Sequence, residues 1–92
     1  MLFRSLHTGT FAHHPQDVRP LAALQAGARQ AAALGLKVHA GHGLTVRNVA
    51  PIAAIPEIEE LNIGHSIVSM AVFTGIAQAV RDMRQVMDAA RR

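Results

Sequence analysis

The stretch Leu36–Leu44, with the sequence LKVHAGHGL, decides the fold class of this 92-residue chain. It begins with a short apolar run typical of a buried strand and ends with a histidine, His42, between two glycines. Parallel α/β folds place reactive side chains and approachable backbone N–H groups at the carboxyl ends of such strands. The stretch therefore predicts a parallel α/β fold with a functional edge at Gly41–Gly43.

Two other segments repeat this order of strand, glycine and helix. Glu59–Ile63 is predicted to be a strand that leads into Gly64 and His65, and Ser5–Gly9 is predicted to be the stub of an earlier strand. The resulting order β-α-β-α-β-α implies parallel strands joined by right-handed crossovers. Three strands cannot close a barrel, and an open sheet of three leaves both edges bare. We therefore expect the chain to be incomplete as a stand-alone domain.

Capping and breaking residues predict the limits of the helices. Three residues are predicted to start helices and three to end them: Asp17, Asn48 and Ser66 at the starts, and Gly35, Pro56 and Gly75 at the ends. The segment 10–16 is predicted to be a loop. The final helix is predicted to bury four apolar residues at helical spacing: Ile76, Val80, Met83 and Met87.

The composition limits the class of protein. The chain is 50% hydrophobic and 16% charged, which is typical of a globular domain. It contains no cysteine, which excludes disulfides and thiolate zinc sites and agrees with a reducing cytoplasm. Nine Lys and Arg residues against six Asp and Glu residues give a net charge of +3. The basic residues are spread along the chain, so we expect no nucleic-acid partner. No apolar run approaches the roughly 18 residues of a membrane span, so we expect no membrane partner.

The three strand ends together resemble a known family. They are Leu6–Gly9 (LHTG), Ala40–Thr45 (AGHGLT) and Glu60–Ile67 (ELNIGHSI), and the linking segment Asn48–Pro56 (NVAPIAAIP) agrees with them. In this order they resemble the last three β/α units of pyridoxine 5′-phosphate synthase, the ring-closing enzyme of deoxyxylulose-dependent vitamin B6 biosynthesis. The resemblance extends from Leu6 to about residue 87.

The resemblance implies a fold larger than this chain. The family fold is an eight-stranded (β/α)8 TIM barrel of roughly 250 residues. Residues 1–92 would form a single partial domain that supplies strands six to eight with their helices, and the full-length protein is expected to be a homo-octamer. Residues 1–4 do not match, and Ser5 stands where the family usually carries Glu. Residues 1–5 are therefore expected to be a leader that is either not native to the barrel or wrongly assigned as the start of the gene product. Met70 also stands where we expect many members of the family to carry a charged residue.

The resemblance also implies the site. The family's catalytic histidine falls on His42, a proton donor, and its substrate-binding positions fall on Gly43, Gly64 and His65. The implied reaction joins 1-deoxy-D-xylulose 5-phosphate to 3-amino-2-oxopropyl phosphate, giving pyridoxine 5′-phosphate, phosphate and water. Histidine titrates near neutral pH and can both give and take the protons that such eliminations require. Phosphorylated small molecules are thus the expected partners, with no metal and no organic cofactor.

The remaining histidines are expected to serve other purposes. His39 alternates with Ala40 and is predicted to pack towards the helices. His7 is predicted to line the mouth of the pocket. His13 and His14 with Asp17 could in principle hold a metal, but adjacent histidines without a third firm ligand are typical of plain surface.

Two other interpretations stay open. The chain could be a non-catalytic piece that acts only as an interaction module, with its exposed barrel edges pairing with another chain. It could also be the end of a different phosphate-binding β/α barrel enzyme. If the resemblance holds, the family's other catalytic His and Glu lie on earlier strands, so the 92 residues alone are expected to be inactive.

Overall fold

The computed structural model describes residues 3–14 and 16–91, and of Phe3 it describes the backbone alone. Within these residues the strands are β1 (Phe3–His7), β2 (Lys37–Gly41) and β3 (Ile58–Asn62). The helices are α1 (Gly9–His13), α2 (Val18–Ala33), α3 (Val49–Ala53), α4 (His65–Thr74) and α5 (Ile76–Ala90).

The strands form one parallel sheet in the order β1-β2-β3, which confirms the predicted α/β class. The β1–β2 register places Ser5 beside His39, and the β2–β3 register places His39 beside Glu60, after an irregularity between Val38 and His39. In the part of the chain that the structure describes, no further strand pairs with the outer edge of β1 or of β3. The sheet is therefore open on both sides.

The hydrophobic core lies between one face of the sheet and the helices. Val38 and Ala40 of β2 are almost completely buried on this face. They belong to the same cluster as Ala28 of α2, Ile52 of α3 and Met83 of α5. Two alanines of α2, Ala28 and Ala31, are buried in this core. Burial of an aliphatic side chain such as Ile52 contributes about 1.5–3 kcal/mol, and this core holds the helices on the sheet.

The opposite face of the sheet carries polar side chains and is not covered by helices. Because side chains alternate along a strand, His39 lies on this face while its neighbours Val38 and Ala40 face the core. Its Nδ1 is 3.5 Å from Oε2 of Glu60 on β3. The prediction that His39 packs towards the helices is therefore wrong. The predicted alternation of His39 with Ala40 is confirmed, but Ala40 is the residue that faces the helices.

The strand boundaries differ from the sequence predictions by one or two residues. β3 begins and ends one residue earlier than predicted, and β1 ends at His7. The segment 10–16 was predicted to be a loop, but its first part belongs to α1. The reason is Phe11, which is 1% exposed and joins the core from this short helix. Met1 and Leu2 of the predicted leader lie outside the described residues, so that assignment stays a prediction.

The ends of α2 agree with the sequence. Asp17 is the N-cap, and its Oδ1 accepts a hydrogen bond of 3.0 Å from the amide of Arg19. The side chain of Arg19 also donates to this carboxylate and lowers the pKa of Asp17. At the other end Gly35 adopts a φ of +81°, and the next amide, that of Leu36, donates back to the carbonyl of Ala31. This is the bonding pattern of a Schellman motif, so both predicted ends are confirmed.

The last two helices leave apolar side chains exposed. The predicted break at Gly75 is confirmed, with a φ of +84°. The predicted burial of Met83 is confirmed and Met87 is partly buried, but Ile76 and Val80 are 59% and 48% exposed, so their predicted burial is wrong. Ala79 faces the core together with Met83. None of the ten residues of α4, all of them described, is buried. No helix among the described residues is long and apolar enough to cross a membrane.

Arg91 fastens the end of α5 to the segment that leads into β3. Its guanidinium donates hydrogen bonds to the backbone carbonyls of Ala53, Ile55 and Ile58. A planar guanidinium with several donors can serve three acceptors that lie in different directions, whereas a lysine ammonium is a single point. The side chain therefore provides a donor for the Ala53 carbonyl and a second donor for the Ile55 carbonyl, which also accepts from the Ile58 amide, and it connects α5 to the start of β3.

We expect Arg91→Ala to lower the free energy of unfolding by about 1–3 kcal/mol, because it removes charge-assisted hydrogen bonds to three carbonyls. The control is Arg84→Ala, since Arg84 forms an exposed ion pair with Asp88, one turn further along α5. That change should cost about 0.3–0.5 kcal/mol. Urea unfolding of both variants at one protein concentration, followed by circular dichroism, measures the difference. Equal losses would contradict a special role for Arg91.

Candidate functional site

The carboxyl ends of the three strands surround an open cleft of about 730 Å³. His42 and Gly43 line it from the end of β2, and Gly64 and His65 line it from the end of β3. His7 lines it from the end of β1. The structure thus brings together in one cleft the five residues that were predicted from the strand ends. Their chemical roles stay predictions.

His42 has an unusual backbone conformation. Its φ is +102°, and among the described residues it is the one residue other than glycine with a positive φ. The carbonyl of His42 accepts a hydrogen bond of 2.6 Å from the hydroxyl of Thr8, and the preceding carbonyl, that of Gly41, accepts one of 2.9 Å from the Thr8 amide. Sequence reasoning missed Thr8 as a site residue.

The imidazole of His42 stacks on the imidazole of His7. The ring centroids are 4.3 Å apart and the ring planes are inclined by 26°. Nδ1 of His7 accepts a hydrogen bond of 3.3 Å from the amide of Gly9, which holds the ring in place. His7 therefore does more than line the mouth of the cleft, because its ring is held by Gly9 and stacks on His42.

The turn after β2 is held through its carbonyl groups. Each carbonyl from Gly41 to Thr45 accepts a hydrogen bond, and three of the donors are side-chain groups: the Thr8 hydroxyl, the Asn48 amide and the Ser66 hydroxyl. Asn48 occupies the predicted N-cap position of α3 but makes no capping bond. Its Oδ1 instead accepts from the amide of Thr45 at 2.8 Å. The turn is thus fixed before any ligand arrives.

The start of α4 presents amide groups to the same cleft. Gly64 is the N-cap, and α4 begins at His65, one residue before the predicted start. The first amides of a helix have no partner within it, and the helix dipole makes this end favourable for anions. The hydroxyl of Ser66 reaches back to the carbonyl of Leu44 at 2.6 Å and so holds α4 against the turn. The cleft therefore combines an imidazole with an anion-favouring helix terminus.

The other histidines lie away from this cleft. His39 does not line it and is placed deeper along β2 beside Glu60. His13 and His14 are exposed at the end of α1, and the nearby Asp17 forms an ion pair with Arg19. Within residues 3–14 and 16–91 there is no group of three His, Cys, Asp or Glu side chains that could hold a metal ion.

Comparison with known proteins places the chain in a family. Residues 4–89 match the family described as "Pyridoxal phosphate biosynthesis protein PdxJ". The chain belongs to this family. The family predicted from the strand-end motifs is thereby confirmed, and the match includes the turn with His42 and the start of α4.

The similar proteins are synthases by name. The pyridoxine 5′-phosphate synthase of Neisseria meningitidis is 52% identical over an alignment of 89 residues that covers 94% of this chain and 37% of that protein. The synthase of Thermosynechococcus vestitus is 54% identical over an alignment of 88 residues that covers 92% of this chain and 37% of the relative. The synthase of Parasynechococcus marenigrum is 56% identical over an alignment of 84 residues that covers 89% of this chain and 34% of the relative. The chain spans a little over a third of the length of the curated relatives it matches.

We expect Gly9→Ala to disturb the pair of stacked rings in this PdxJ family member. A Cβ at position 9 would lie 2.5 Å from Cε1 of His7 and 2.9 Å from Cδ2 of His42, so both rings would have to move. The ring proton resonances of the two histidines, observed by NMR, should shift because each ring lies in the ring current of the other. Gly27→Ala is the control, since its Cβ would meet only Leu6 at an ordinary 3.8 Å. Unchanged histidine resonances in the Gly9 variant would contradict the stacked arrangement.

Proposed function

We propose that this chain forms the last three β/α units of a pyridoxine 5′-phosphate synthase with a (β/α)8 TIM barrel. Three parallel strands in sequential order, with helices packed on one face and the other face left uncovered, are what a segment of such a barrel requires. Three units of eight are close to the 37% of the Neisseria meningitidis synthase that the chain covers. The uncovered face would become the interior of the barrel.

The proposed reaction is the condensation of 1-deoxy-D-xylulose 5-phosphate with 3-amino-2-oxopropyl phosphate to pyridoxine 5′-phosphate, phosphate and water. The observation that carries this proposal is the position of His42 in the cleft, on a turn fixed at every carbonyl and close to the start of α4. Imine formation, the loss of phosphate and water, and ring closure each move protons. His42 is the proposed proton donor for one of these steps.

Gly43, Gly64 and His65 are the proposed binding positions for the phosphorylated substrates. Gly43 lines the cleft and has a φ of +74°, which favours glycine, and a Cβ at this position would lie 2.8 Å from the Cβ of Ala12. Gly64 and His65 offer the amides at the start of α4, where negative charge is favoured. Phosphate groups in TIM barrels are commonly held by the loops after strands seven and eight, which would be the loops after β2 and β3.

The exposed apolar side chains of α4 support a larger assembly. Val72 and Phe73 are 80% and 83% exposed here, and a helix that is apolar all round is normally covered by other structure. We therefore propose that the missing barrel units and further subunits of a homo-octamer cover such surfaces in the full-length protein. A cytoplasmic location is part of the same proposal, supported by the phosphorylated substrates and the absence of cysteine.

The first test joins this chain to the preceding part of the Neisseria meningitidis synthase, up to the point where the similarity begins. We expect this hybrid to form pyridoxine 5′-phosphate from the two phosphorylated substrates. The 92-residue chain alone should form none, because the acid/base groups of the earlier strands are absent and such groups act as a unit. A folded hybrid without synthase activity, or a robustly active 92-residue chain, would contradict the proposal.

Within the hybrid, His42→Asn should lower kcat by about 10²–10⁴-fold, because asparagine keeps the approximate size of the ring but cannot exchange a proton at neutral pH. The control is His13→Asn, an equal chemical change at the exposed end of α1, which should leave kcat unchanged. Steady-state kinetics with both substrates measures the two effects. Similar kcat values for the two variants would exclude His42 as the proton donor.

A further inference from the structure

The backbone of His42 needs an external restraint. A φ of +102° is far from the regions that residues with a Cβ normally occupy, and such conformations cost on the order of 1–3 kcal/mol. They persist where surrounding contacts enforce them, and they are frequent at functional sites. The question is which contact enforces this one.

Thr8 supplies the restraint from the neighbouring strand. It lies directly after β1 and is completely buried, 34 residues away from His42 in sequence. Its amide donates to the carbonyl of Gly41 and its hydroxyl donates to the carbonyl of His42, so one residue fixes both peptide groups that flank the His42 Cα. Rotation of the His42 backbone to a negative φ would turn the second carbonyl away and break the 2.6 Å bond.

The hydroxyl of Thr8 is not used for the local purpose that its position suggests. Thr8 is the N-cap residue of α1, where a threonine side chain would ordinarily accept from an amide of the first turn. No such capping bond is present at α1, and the hydroxyl points to the end of β2 instead. The side chain therefore serves the His42 turn rather than the short helix that it precedes.

The consequence of this restraint is the placement of the His42 ring. With its backbone held by Thr8, the His42 imidazole lies flat against His7, which the amide of Gly9 fixes in turn. Three consecutive residues, His7, Thr8 and Gly9, thus place one imidazole at the mouth of the cleft. Ring orientation matters because small misplacements of a reacting group cause large losses in rate.

We infer that Thr8 is a positioning residue for His42: its hydroxyl holds the left-handed backbone from which His42 reaches the substrates. This inference rests on the proposed function, in which His42 is the proton donor. Thr8 touches no substrate in this account and acts only through the carbonyl of His42. Its removal should therefore affect the chemical step more than substrate binding.

The test compares Thr8→Val and Thr8→Ser in the hybrid synthase. Valine keeps the branched shape but cannot donate, so kcat should fall by about 10- to 100-fold while KM for both substrates stays within about threefold. Serine keeps the hydroxyl and should restore kcat to within about threefold of the parent. If the valine variant does not fold, Thr8→Ala replaces it, with the same expected fall in kcat.

Three results would overturn the inference. The first is an unchanged kcat in Thr8→Val, and the second is a kcat in Thr8→Ser that is as low as in Thr8→Val. The third is a failure of both the valine and the alanine variant to fold, which would give Thr8 a purely structural role. The His42→Asn variant separates this inference from the proposed function. If His42→Asn is inactive and Thr8→Val is fully active, only the positioning role fails. If the parent hybrid or His42→Asn behaves against expectation, the proposed function fails first.

Discussion

The hydrogen bond from the Thr8 hydroxyl to the His42 carbonyl, 2.6 Å long, joins the ends of two neighbouring strands at the point where the cleft opens. Without it the carbonyl of His42 would lose the hydrogen bond that holds the backbone of this residue at positive φ. The other restraints reach the same turn from different directions, through Asn48 in the next segment and Ser66 at the start of α4. The cleft is thus preorganised by side chains that do not themselves face a substrate, which is what a proton donor of fixed orientation requires.

The sheet shows why three β/α units hold together and yet need more structure around them. One face packs against helices through residues such as Val38 and Ala40, so the core is formed locally. The other face presents a row of polar side chains across the strands, Ser5, His39 and Glu60, which water can solvate in this chain. Inside a closed barrel the same row would need partners from the remaining strands, because buried polar groups are costly when unpaired. The unpaired edges of β1 and β3 and the exposed apolar side chains of α4 likewise need further structure to cover them.

Much of this organisation could be predicted from the sequence, because it depends on local rules. The apolar run before Gly41, the cap at Asp17 and the glycines at 35 and 75 set strands and helices to within a residue or two. The two faces of β2 could not be assigned in this way, because the alternation of side chains along a strand does not say which face packs against the helices. The prediction for His39 is wrong for this reason. The sequence did not predict α1, because this helix has only five residues and depends on the packing of Phe11 into the core. Thr8 was missed because its partner is 34 residues away, and no local spacing encodes such a bond.

The most direct test of this account is a crystal structure of the hybrid synthase soaked with inorganic phosphate. The account predicts phosphate oxygens within about 2.7–3.2 Å of the amide nitrogens at Gly43 or at the start of α4. It also predicts His42 at positive φ, with its carbonyl bonded to the hydroxyl of Thr8 and its ring facing the same cleft. Phosphate bound only elsewhere, or a His42 backbone at negative φ with the Thr8 hydroxyl turned away, would contradict it.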